Sequence, residues 1–208
     1  MEYYTIAVTS FAQNCSLLHC RESGRGAFVD PGGEPQRLLS LAMEHEVGID
    51  AVLLTHGHLD HVGAARDLAD RLGVPIIGPQ QEDAFWFDAL DQQAQMFGFP
   101  PLTPFQPDRW LTDGETIQIG RQSLEVIHTP GHTPGHVVFY HRPQQIAFVG
   151  DVLFRGSIGR SDFPRGDQAT LLRSIHERLL PLGDEVRFVA GHGPESTFGR
   201  ERRSNPFL

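Results

Sequence analysis

Short apolar runs bounded by turn residues recur along the chain in two series. The first series predicts strands at residues 3–11, 16–20, 27–29, 51–54 and 74–77, and the second at residues 110–111, 116–119, 123–128, 137–140, 146–149 and 186–190. Apolar residues at helical spacing predict helices over residues 35–46, 62–73, 80–97 and 168–180. We expect the aromatic residues of the third helix mainly to pack in the core, with a few walling a pocket. Strands followed by helices, twice over, predict an α/β fold of two packed sheets with helices outside.

The composition excludes several classes of function. The 208 residues carry a formal net charge of −9, whereas nucleic-acid binding requires a basic surface. All 17 basic residues are arginine, which excludes Schiff-base chemistry on lysine and a Walker-type phosphate loop. No apolar run is long enough to suggest a membrane span.

Two further features predict the compartment and the domain organisation. Residues 1–9 contain no basic segment of the kind that begins a signal peptide. Cys15 and Cys20 lie five positions apart on one predicted strand, on opposite faces, so they cannot form a disulfide. We therefore expect a single domain in the reducing environment of the cytoplasm.

Three histidines and an aspartate fall within six residues, at His56, His58, Asp60 and His61. They lie between the apolar run 51–54 and the helical pattern 62–73, at a strand-to-helix junction of the kind where open α/β sheets bind ligands. Neutral imidazole and carboxylate are ordinary ligands of zinc and related divalent ions. In a sharp turn the side chains of His56 and His58 can converge on one point, while those of Asp60 and His61 point toward a second one. The pattern predicts a metal site rather than a polar surface loop.

Histidines at positions 128, 132 and 136 recur every four residues, but the prolines and glycines between them exclude a helix. The segment is predicted instead as a pair of tight turns after a strand. His132, at the centre of these turns, is the predicted metal ligand. His136 opens the next strand and is expected to orient a neighbour or to pack.

Three more polar residues follow predicted strands. Asp151 comes directly after an apolar run and a glycine, where a carboxylate has little structural reason to lie, and its two oxygens can bridge two cations. His192 repeats this pattern after the run 186–190. Two interpretations stay open for Asp30, which precedes a Pro-Gly turn: it stabilises the turn, or it orients a metal ligand.

Four motifs, in this order, resemble those of the metallo-β-lactamase superfamily and, within it, the small single-domain proteins similar to hydroxyacylglutathione hydrolase (glyoxalase II). They are T-H-G-H-L-D-H at 55–61, H-T-P-G-H at 132–136, G-D at 150–151 and G-H-G at 191–193. The resemblance implies a four-layer αββα sandwich over residues 1–208 with two divalent metal ions at one edge, zinc above all, with iron or manganese as alternatives. It implies that the first ion is bound by His56, His58 and His132, and the second by Asp60, His61 and His192, with Asp151 as the bridge. Asp60 and Asp151 are also the expected catalytic carboxylates.

The chain departs from that family at two places. The C-terminal helical domain with which glyoxalase II enzymes help to hold glutathione is absent from these 208 residues. The lysine and tyrosine that those enzymes carry after the bridging aspartate are also missing. Arg160 is either a replacement anchor for a substrate carboxylate or a member of a surface salt bridge. True β-lactamases usually carry a cysteine at the second metal and lack the bridging aspartate, so β-lactam hydrolysis is not expected.

The resemblance implies a metallohydrolase that cleaves thioesters, in particular S-lactoylglutathione, to glutathione and a 2-hydroxy acid with water that the metals make reactive. The string Gly-Arg-Ser-Asp-Phe at 159–163 also resembles persulfide dioxygenases, which use one iron on this fold. Other hydrolases of the fold, such as lactonases, are a further alternative. The expected partner is a small-molecule thioester, with no nucleic acid and no membrane, and the oligomeric state stays open.

Overall fold

Two mixed β-sheets pack face to face in the computed structural model, which describes residues 1–208. The strands of the N-terminal sheet are β1 (Glu2–Val8), β2 (Gln13–Cys20), β3 (Arg25–Val29), β4 (Gly48–Leu53) and β5 (Ile76–Ile77), which pair in that order. The first three strands are antiparallel, whereas β3, β4 and β5 are parallel.

The second half of the chain forms the other sheet. Its strands are β6 (Thr116–Ile119), β7 (Gln122–His128), β8 (Val137–His141), β9 (Ile146–Gly150), β10 (Leu153–Phe154), β11 (Ser157–Ile158), β12 (Arg187–Ala190) and β13 (Ser196–Thr197). Strands β10 and β11 form a separate hairpin, and the other six are ordered β13, β12, β9, β8, β7, β6. Strands β9 and β12 are parallel, and the remaining pairs of this sheet are antiparallel.

Seven α-helices accompany the sheets: α1 (Pro35–Glu44), α2 (Leu59–Val62), α3 (Ala65–Leu72), α4 (Ala84–Asp88), α5 (Leu90–Phe97), α6 (Gln168–Ser174) and α7 (Phe198–Ser204). Proline at the first position of α1 suits a helix start, because the missing N–H has no partner there in any helix. The Asp167 side chain caps α6 by accepting a hydrogen bond from the Thr170 N–H. None of the helices has both the length and the apolar character needed to cross a membrane.

Both faces of each sheet are apolar, and this produces four layers. On β2, Leu17 packs with α1 and α3, while its neighbour Leu18 packs between the sheets, because successive side chains of a strand point to opposite faces. On β8, Phe139 lies between the sheets and Tyr140 packs with α6 on the outside. Each large apolar side chain buried in this way contributes about 1.5–3 kcal/mol. The order helices, sheet, sheet, helices confirms the predicted αββα sandwich.

The parallel strand pairs position the polar motifs. Strands β3 and β4 end next to each other, as do β9 and β12. The residues that follow these strands are Asp30, the 55–61 segment, Asp151 and His192, so both sheets deliver their polar residues to one edge of the sandwich.

Four predicted elements differ from the structure in more than their end residues. The helix predicted over 168–180 is α-helical only to Ser174 and continues as a π-helical turn over residues 175–179. The helix predicted over 62–73 is divided between α2 and α3, because the chain bends at Gly63 and the Ala64 N–H donates to the Pro31 carbonyl at 2.9 Å. The helix predicted over 80–97 is divided between α4 and α5 at Ala89, after a 3₁₀ turn at residues 81–83. Residues 110–111 form no strand, and the neighbouring Arg109 instead makes an isolated bridge with Ile77.

Candidate metal centre

Three imidazoles from two loops meet at the edge of the sandwich. His56 and His58 come from the loop after β4, and His132 comes from the turns after β7. The His58 Nδ1 atom lies 3.1 Å from His56 Nε2 and 3.0 Å from His132 Nε2. All three side chains are buried. These three residues are termed the first cluster.

One carboxylate and two imidazoles form the second cluster, defined as Asp60, His61 and His192. Asp60 and His61 lie in α2, and His192 follows β12. The Asp60 Oδ2 atom lies 3.1 Å from His192 Nε2 and 3.8 Å from His61 Nε2. The His192 side chain is 28% exposed, whereas that of His61 is fully buried, so solvent reaches this cluster from one side.

Asp151 stands between the two clusters. Its Oδ1 atom lies 3.4 Å from His61 Nε2, and its Oδ2 atom lies 3.6 Å from His192 Nε2 and 3.8 Å from His132 Nε2. One carboxylate therefore faces members of both clusters. The structure brings together all of the residues that the sequence predicts as metal ligands: His56, His58, Asp60, His61, His132, Asp151 and His192.

The arrangement fits divalent metal ions on two independent grounds. The nitrogens of the first cluster approach to 3.0–3.1 Å, and tetrahedral zinc with Zn–N bonds of about 2.0–2.1 Å places its ligand atoms roughly 3.4 Å apart. His61 Nε2 and Asp151 Oδ1 are buried and have no hydrogen-bond partner, which is costly for a polar atom unless a ligand binds it. The fold and the clusters together indicate a dinuclear metal site.

The clusters differ in the protonation that they favour. Burial lowers the pKa of all three histidines of the first cluster. Burial also acts on His61, but the negative charges of Asp151 and Asp60 outweigh it and raise the pKa of His61 well above its usual value. The same two carboxylates outweigh burial at His192 and raise its pKa. The histidines of the first cluster thus favour the neutral form that binds a metal ion, whereas His61 and His192 of the second cluster favour the protonated form in the metal-free protein.

Backbone carbonyls fix the orientation of two histidines, one in each cluster. His132 Nδ1 lies 2.6 Å from the Arg160 carbonyl oxygen, and His192 Nδ1 lies 3.1 Å from the Phe11 carbonyl oxygen. A carbonyl only accepts, so each Nδ1 carries a proton, and Nε2 is the atom whose lone pair faces the cluster in the neutral ring. Such partners hold a metal-binding imidazole in the required tautomer.

Asp30 lies at the end of β3 and orients His61. Its Oδ2 atom lies 2.9 Å from His61 Nδ1. The carboxylate also accepts hydrogen bonds from the Thr55 N–H at 2.7 Å and the Thr55 hydroxyl at 2.6 Å. Asp30, His56 and His61 are close enough to form a third potential ligand group, but the Asp30 oxygens are already occupied by these donors. Of the two interpretations left open for Asp30, the structure supports orientation of a ligand.

His136 belongs to neither cluster. Its Nε2 atom accepts a hydrogen bond from the Asp151 N–H at 3.1 Å, and its Nδ1 atom lies 3.3 Å from the Thr129 hydroxyl. Its ring stacks on that of His56 at a centroid distance of 4.8 Å. His136 therefore orients its neighbours, as expected from the sequence.

Two buried polar residues beside the motifs were not predicted. The Asp83 carboxylate accepts hydrogen bonds from both loops that carry the first cluster. The Gln93 Oε1 atom accepts a hydrogen bond from the Leu59 N–H at 3.0 Å, and its Nε2 atom donates to the Trp86 carbonyl at 2.8 Å. Both residues belong to the segment that reads as an aromatic helix, where nothing in the local pattern distinguishes them from surface polar residues.

A family model described as the metallo-β-lactamase superfamily matches residues 8–192. The chain belongs to this superfamily. Hydroxyacylglutathione hydrolase GloC of Haemophilus influenzae is 50% identical over 209 residues, which cover 100% of this chain and 98% of that protein.

Solved structures of the superfamily share the whole fold. TTHA1623 in a di-iron-bound form aligns with a TM-score of 0.90 and 38% identity, covering 99% of this chain and 100% of that one. BLEG-1, a B3 metallo-β-lactamase, aligns with a TM-score of 0.91 and 35% identity, covering 100% of this chain and 99% of that one. The resemblance and the fold predicted from the motifs are thus confirmed.

A cavity of about 730 Å³ opens over both the first and the second cluster, and its lining includes His58, Asp60 and Asp151. Its walls are mostly apolar. The rings of Trp86 and Phe163 lie 4.5 Å and 4.9 Å from the His58 ring.

Aromatic residues of the predicted 80–97 helix are divided between the core and this cavity. Phe87 packs in the core, as expected for most of them. Phe85, Trp86 and Phe97 instead line the cavity, and Phe97 is 41% exposed at its mouth. The cavity therefore takes more of these residues than the sequence suggested.

Arg160 lies at the rim of the cavity and is exposed. Its guanidinium makes two hydrogen bonds of 2.9 Å to Asp162 and lies 4.4 Å from the centroid of the Phe163 ring. Because an exposed ion pair contributes little to stability, the guanidinium can exchange Asp162 for another carboxylate. Of the two interpretations of Arg160, the structure thus contains the surface salt bridge.

Proposed function

We propose that this chain is a metal-dependent hydrolase that cleaves S-2-hydroxyacylglutathione thioesters, such as S-lactoylglutathione, to glutathione and a 2-hydroxy acid. The observation that carries the proposal is the pair of ligand clusters joined by Asp151 beneath a cavity of about 730 Å³. The 50% identity to a hydroxyacylglutathione hydrolase supports the substrate class.

We infer that each cluster would hold one divalent ion, and that Asp151, whose oxygens face members of both clusters, would be a ligand at the site. Zinc is the metal that we expect, while iron and manganese also accept imidazole and carboxylate ligands, and the di-iron form of a relative supports iron as the alternative. When bound, such ions lower the pKa of a coordinated water and polarise a substrate carbonyl. Elemental analysis of the purified protein identifies the metal.

The side chains of the chain supply the remaining functions. Asp60 and Asp151 border the cavity and are placed to accept the proton that the attacking water loses. Water adds to the thioester carbonyl, the C–S bond breaks, and the thiolate leaves without a strong general acid because thiols have a pKa of about 8.5. Trp86 and Phe163, at 4.5 Å and 4.9 Å from His58, limit the access of bulk water.

Arg160 is proposed as the anchor for a carboxylate of the substrate. Replacing it removes a charge-assisted hydrogen bond made in the ground state and the transition state alike, so Arg160→Ala should raise KM about tenfold with little change in kcat. The matched control is Arg121→Ala, since Arg121 is exposed and is not among the residues that line the cavity. An unchanged KM in Arg160→Ala would contradict the anchoring role.

The decisive test is hydrolysis of S-lactoylglutathione by the metal-loaded protein. We expect release of free glutathione, which should cease in metal-stripped protein and return when metal is added. No turnover above the metal-stripped protein would reject the substrate proposal.

A persulfide dioxygenase is the second candidate, because the 159–163 string lies directly over the first cluster. The Arg160 carbonyl contacts His132, and the Phe163 ring lies 4.9 Å from His58. Oxygen uptake with glutathione persulfide and one iron per chain would favour this reaction over hydrolysis. A lactone and a β-lactam complete the substrate panel, the latter because of the similarity to BLEG-1.

We propose two further features of the chain, its domain organisation and its compartment. Residues 1–208 act as one domain, supported by a family match that spans both sheets. The cytoplasm is the proposed compartment, supported by Cys15 and Cys20, which are free and buried. Limited proteolysis and cell fractionation test these two proposals.

A further inference from the structure

One carboxylate outside the motifs connects the two loops of the first cluster. The Asp83 Oδ2 atom accepts hydrogen bonds from the Gly57 N–H at 2.9 Å and the Thr133 hydroxyl at 2.8 Å. Its Oδ1 atom accepts one from the Gly135 N–H at 2.6 Å. Gly57 lies between His56 and His58, and Thr133 follows His132. A single side chain therefore spans from the loop after β4 in one sheet to the turns after β7 in the other.

The backbone around Asp83 packs directly on both loops. A Cβ atom at Gly57 would lie 2.6 Å from the Trp86 Cβ, and one at Gly135 would lie 2.4 Å from the Gln80 carbonyl oxygen and 2.6 Å from the Asp83 nitrogen. Both distances are too short for a side chain, so glycine is required at both positions. The two glycines whose N–H groups bind Asp83 are thus also the points of closest approach.

Asp83 is held by hydrogen bonds alone. Its side chain is fully buried, and the charged group that acts on it is the acidic Glu82 rather than a cation. Burial raises the pKa of the Asp83 carboxyl to about 7, while the three donors act in the opposite direction. A buried carboxylate without a cation is costly, and at Asp83 the three donors from the two loops offset that cost.

We propose that Asp83 is a positioning residue that sets the separation of the two loops and thereby assembles the first cluster. This inference rests on the metal centre of the proposed function. Asp83 makes no hydrogen bond to any residue of the second cluster, so its effect should be confined to one of the two ions.

The test is Asp83→Asn, which keeps the size of the side chain but places an amide NH₂ against at least one of the three donors. Metal affinities are measured by competition with a chromophoric chelator, using zinc as the probe. We expect the affinity for one zinc ion to fall about 10–100-fold, the range for residues that orient metal ligands, while the other ion binds as in the unmodified chain. The matched control is Glu82→Gln, a neighbouring exposed carboxylate, which should bind both ions normally.

A second pair of variants guards against a folding defect in Asp83→Asn. Thr133→Val removes one of the three donors and leaves the carboxylate in place, whereas Thr133→Ser retains the hydroxyl. We expect a smaller loss for the same zinc ion in Thr133→Val and recovery in Thr133→Ser. A purely structural role would lower the unfolding temperature of metal-free Asp83→Asn without a selective loss of one ion.

The outcomes separate the two proposals. An unmodified chain that fails to bind two ions contradicts the metal centre itself and overturns the role of Asp83 with it. An unmodified chain with two ions, together with equal affinities in Asp83→Asn or a loss shared by both ions, overturns the positioning role alone. A selective loss of one ion, reproduced in part by Thr133→Val, supports it.

Discussion

The two clusters of the candidate centre differ in side chains, charge and exposure, although both lie at the same edge of the sandwich. The first cluster is three buried histidines, and burial lowers the pKa of each of them. The second cluster includes Asp60, contains two histidines with raised pKa values, and is open to solvent at His192. A neutral, enclosed site thus lies beside a charged and more accessible one.

The two carboxylates that support the clusters, Asp30 and Asp83, differ in the groups that they contact. Asp30 contacts the ring of a candidate ligand, His61, in addition to the N–H and the hydroxyl of Thr55. Asp83 acts on the backbone, because two of its three donors are main-chain N–H groups of the motif loops. We therefore expect the second cluster to depend on the tautomer of the His61 ring and the first cluster to depend on the distance between its two loops.

Replacing Asp151, which the two clusters share, should affect the binding of both ions rather than of one. Asp151 faces both, so Asp151→Ala should weaken both ions and lower kcat/KM for S-lactoylglutathione by more than about 100-fold, above the range for residues that only orient ligands. Metal content and steady-state kinetics measure the effect, with Asp91→Ala, an exposed carboxylate on α5, as the control. A variant that keeps two ions and activity within a few-fold of the unmodified chain contradicts the bridging position.

Asp30→Asn should produce the counterpart of the Asp83→Asn effect. The Thr55 N–H, the Thr55 hydroxyl and the His61 ring all face the carboxylate, and an amide cannot accept from all of them. We expect His61 to lose its fixed tautomer and the second ion to bind about 10–100-fold more weakly. The first ion should weaken less, because Asp30 reaches His56 only through the Thr55 hydroxyl, which lies 3.0 Å from His56 Nδ1. The measurement is the same chelator competition, with Asp91→Asn as the control. Weakening of both ions by the same factor would show that the clusters are not independent.

The sequence predicted the candidate ligands but did not predict the residues that position them, and the reason is physical. His56, His132, Asp151 and His192 each follow an apolar strand, and a polar residue at such a position is unusual enough to be recognised locally. Asp83 meets its partners across 26, 50 and 52 positions of the chain, and no periodicity encodes contacts of that range.

Two glycines are the feature of the sequence that reflects the contacts of Asp83. Gly57 and Gly135 stand inside histidine motifs, where they admit no Cβ because the Asp83 segment packs on them. Their presence indicated that another part of the chain approaches closely, but not which part. The break between α2 and α3 was missed in a similar way, since it depends on the Ala64 N–H meeting the distant Pro31 carbonyl.

Acidification should separate the affinities of the two ions. A histidine whose pKa is raised is protonated below that pKa, and a metal ion must then displace the proton. The second cluster contains His61 and His192, both with raised pKa values, so its affinity should fall by up to about tenfold per pH unit for each proton displaced as the pH is lowered from about 8 to 6.

The first cluster should respond later in the same titration. Its histidines have lowered pKa values and stay neutral until the solution is more acidic. Chelator competition across this pH range, with proton release followed by calorimetry in two buffers, gives both affinities. Parallel curves, or a steeper fall for the first ion, would contradict the assignment of charge to the two clusters.

The smallest expected effect concerns a residue that supports both clusters at once. Gln93 accepts from the Leu59 N–H at the start of α2, and Leu59 lies between His58 of the first cluster and Asp60 of the second. The lost hydrogen bond is worth about 0.5–1.5 kcal/mol, so Gln93→Ala should weaken both ions roughly two- to tenfold and by the same factor.

The acceptor function can be separated from the donor function at this position. Gln93→Glu keeps an oxygen that accepts from the Leu59 N–H, but it cannot donate to the Trp86 carbonyl, which lies 2.8 Å from the Gln93 nitrogen. If the contact with α2 is the one that supports metal binding, this variant should lose only part of the metal affinity. Gln95→Ala, an exposed neighbour on α5, is the control. A loss confined to one ion would mean that α2 does not move as a unit, because a single contact at its first residue would then hold one cluster and not the other.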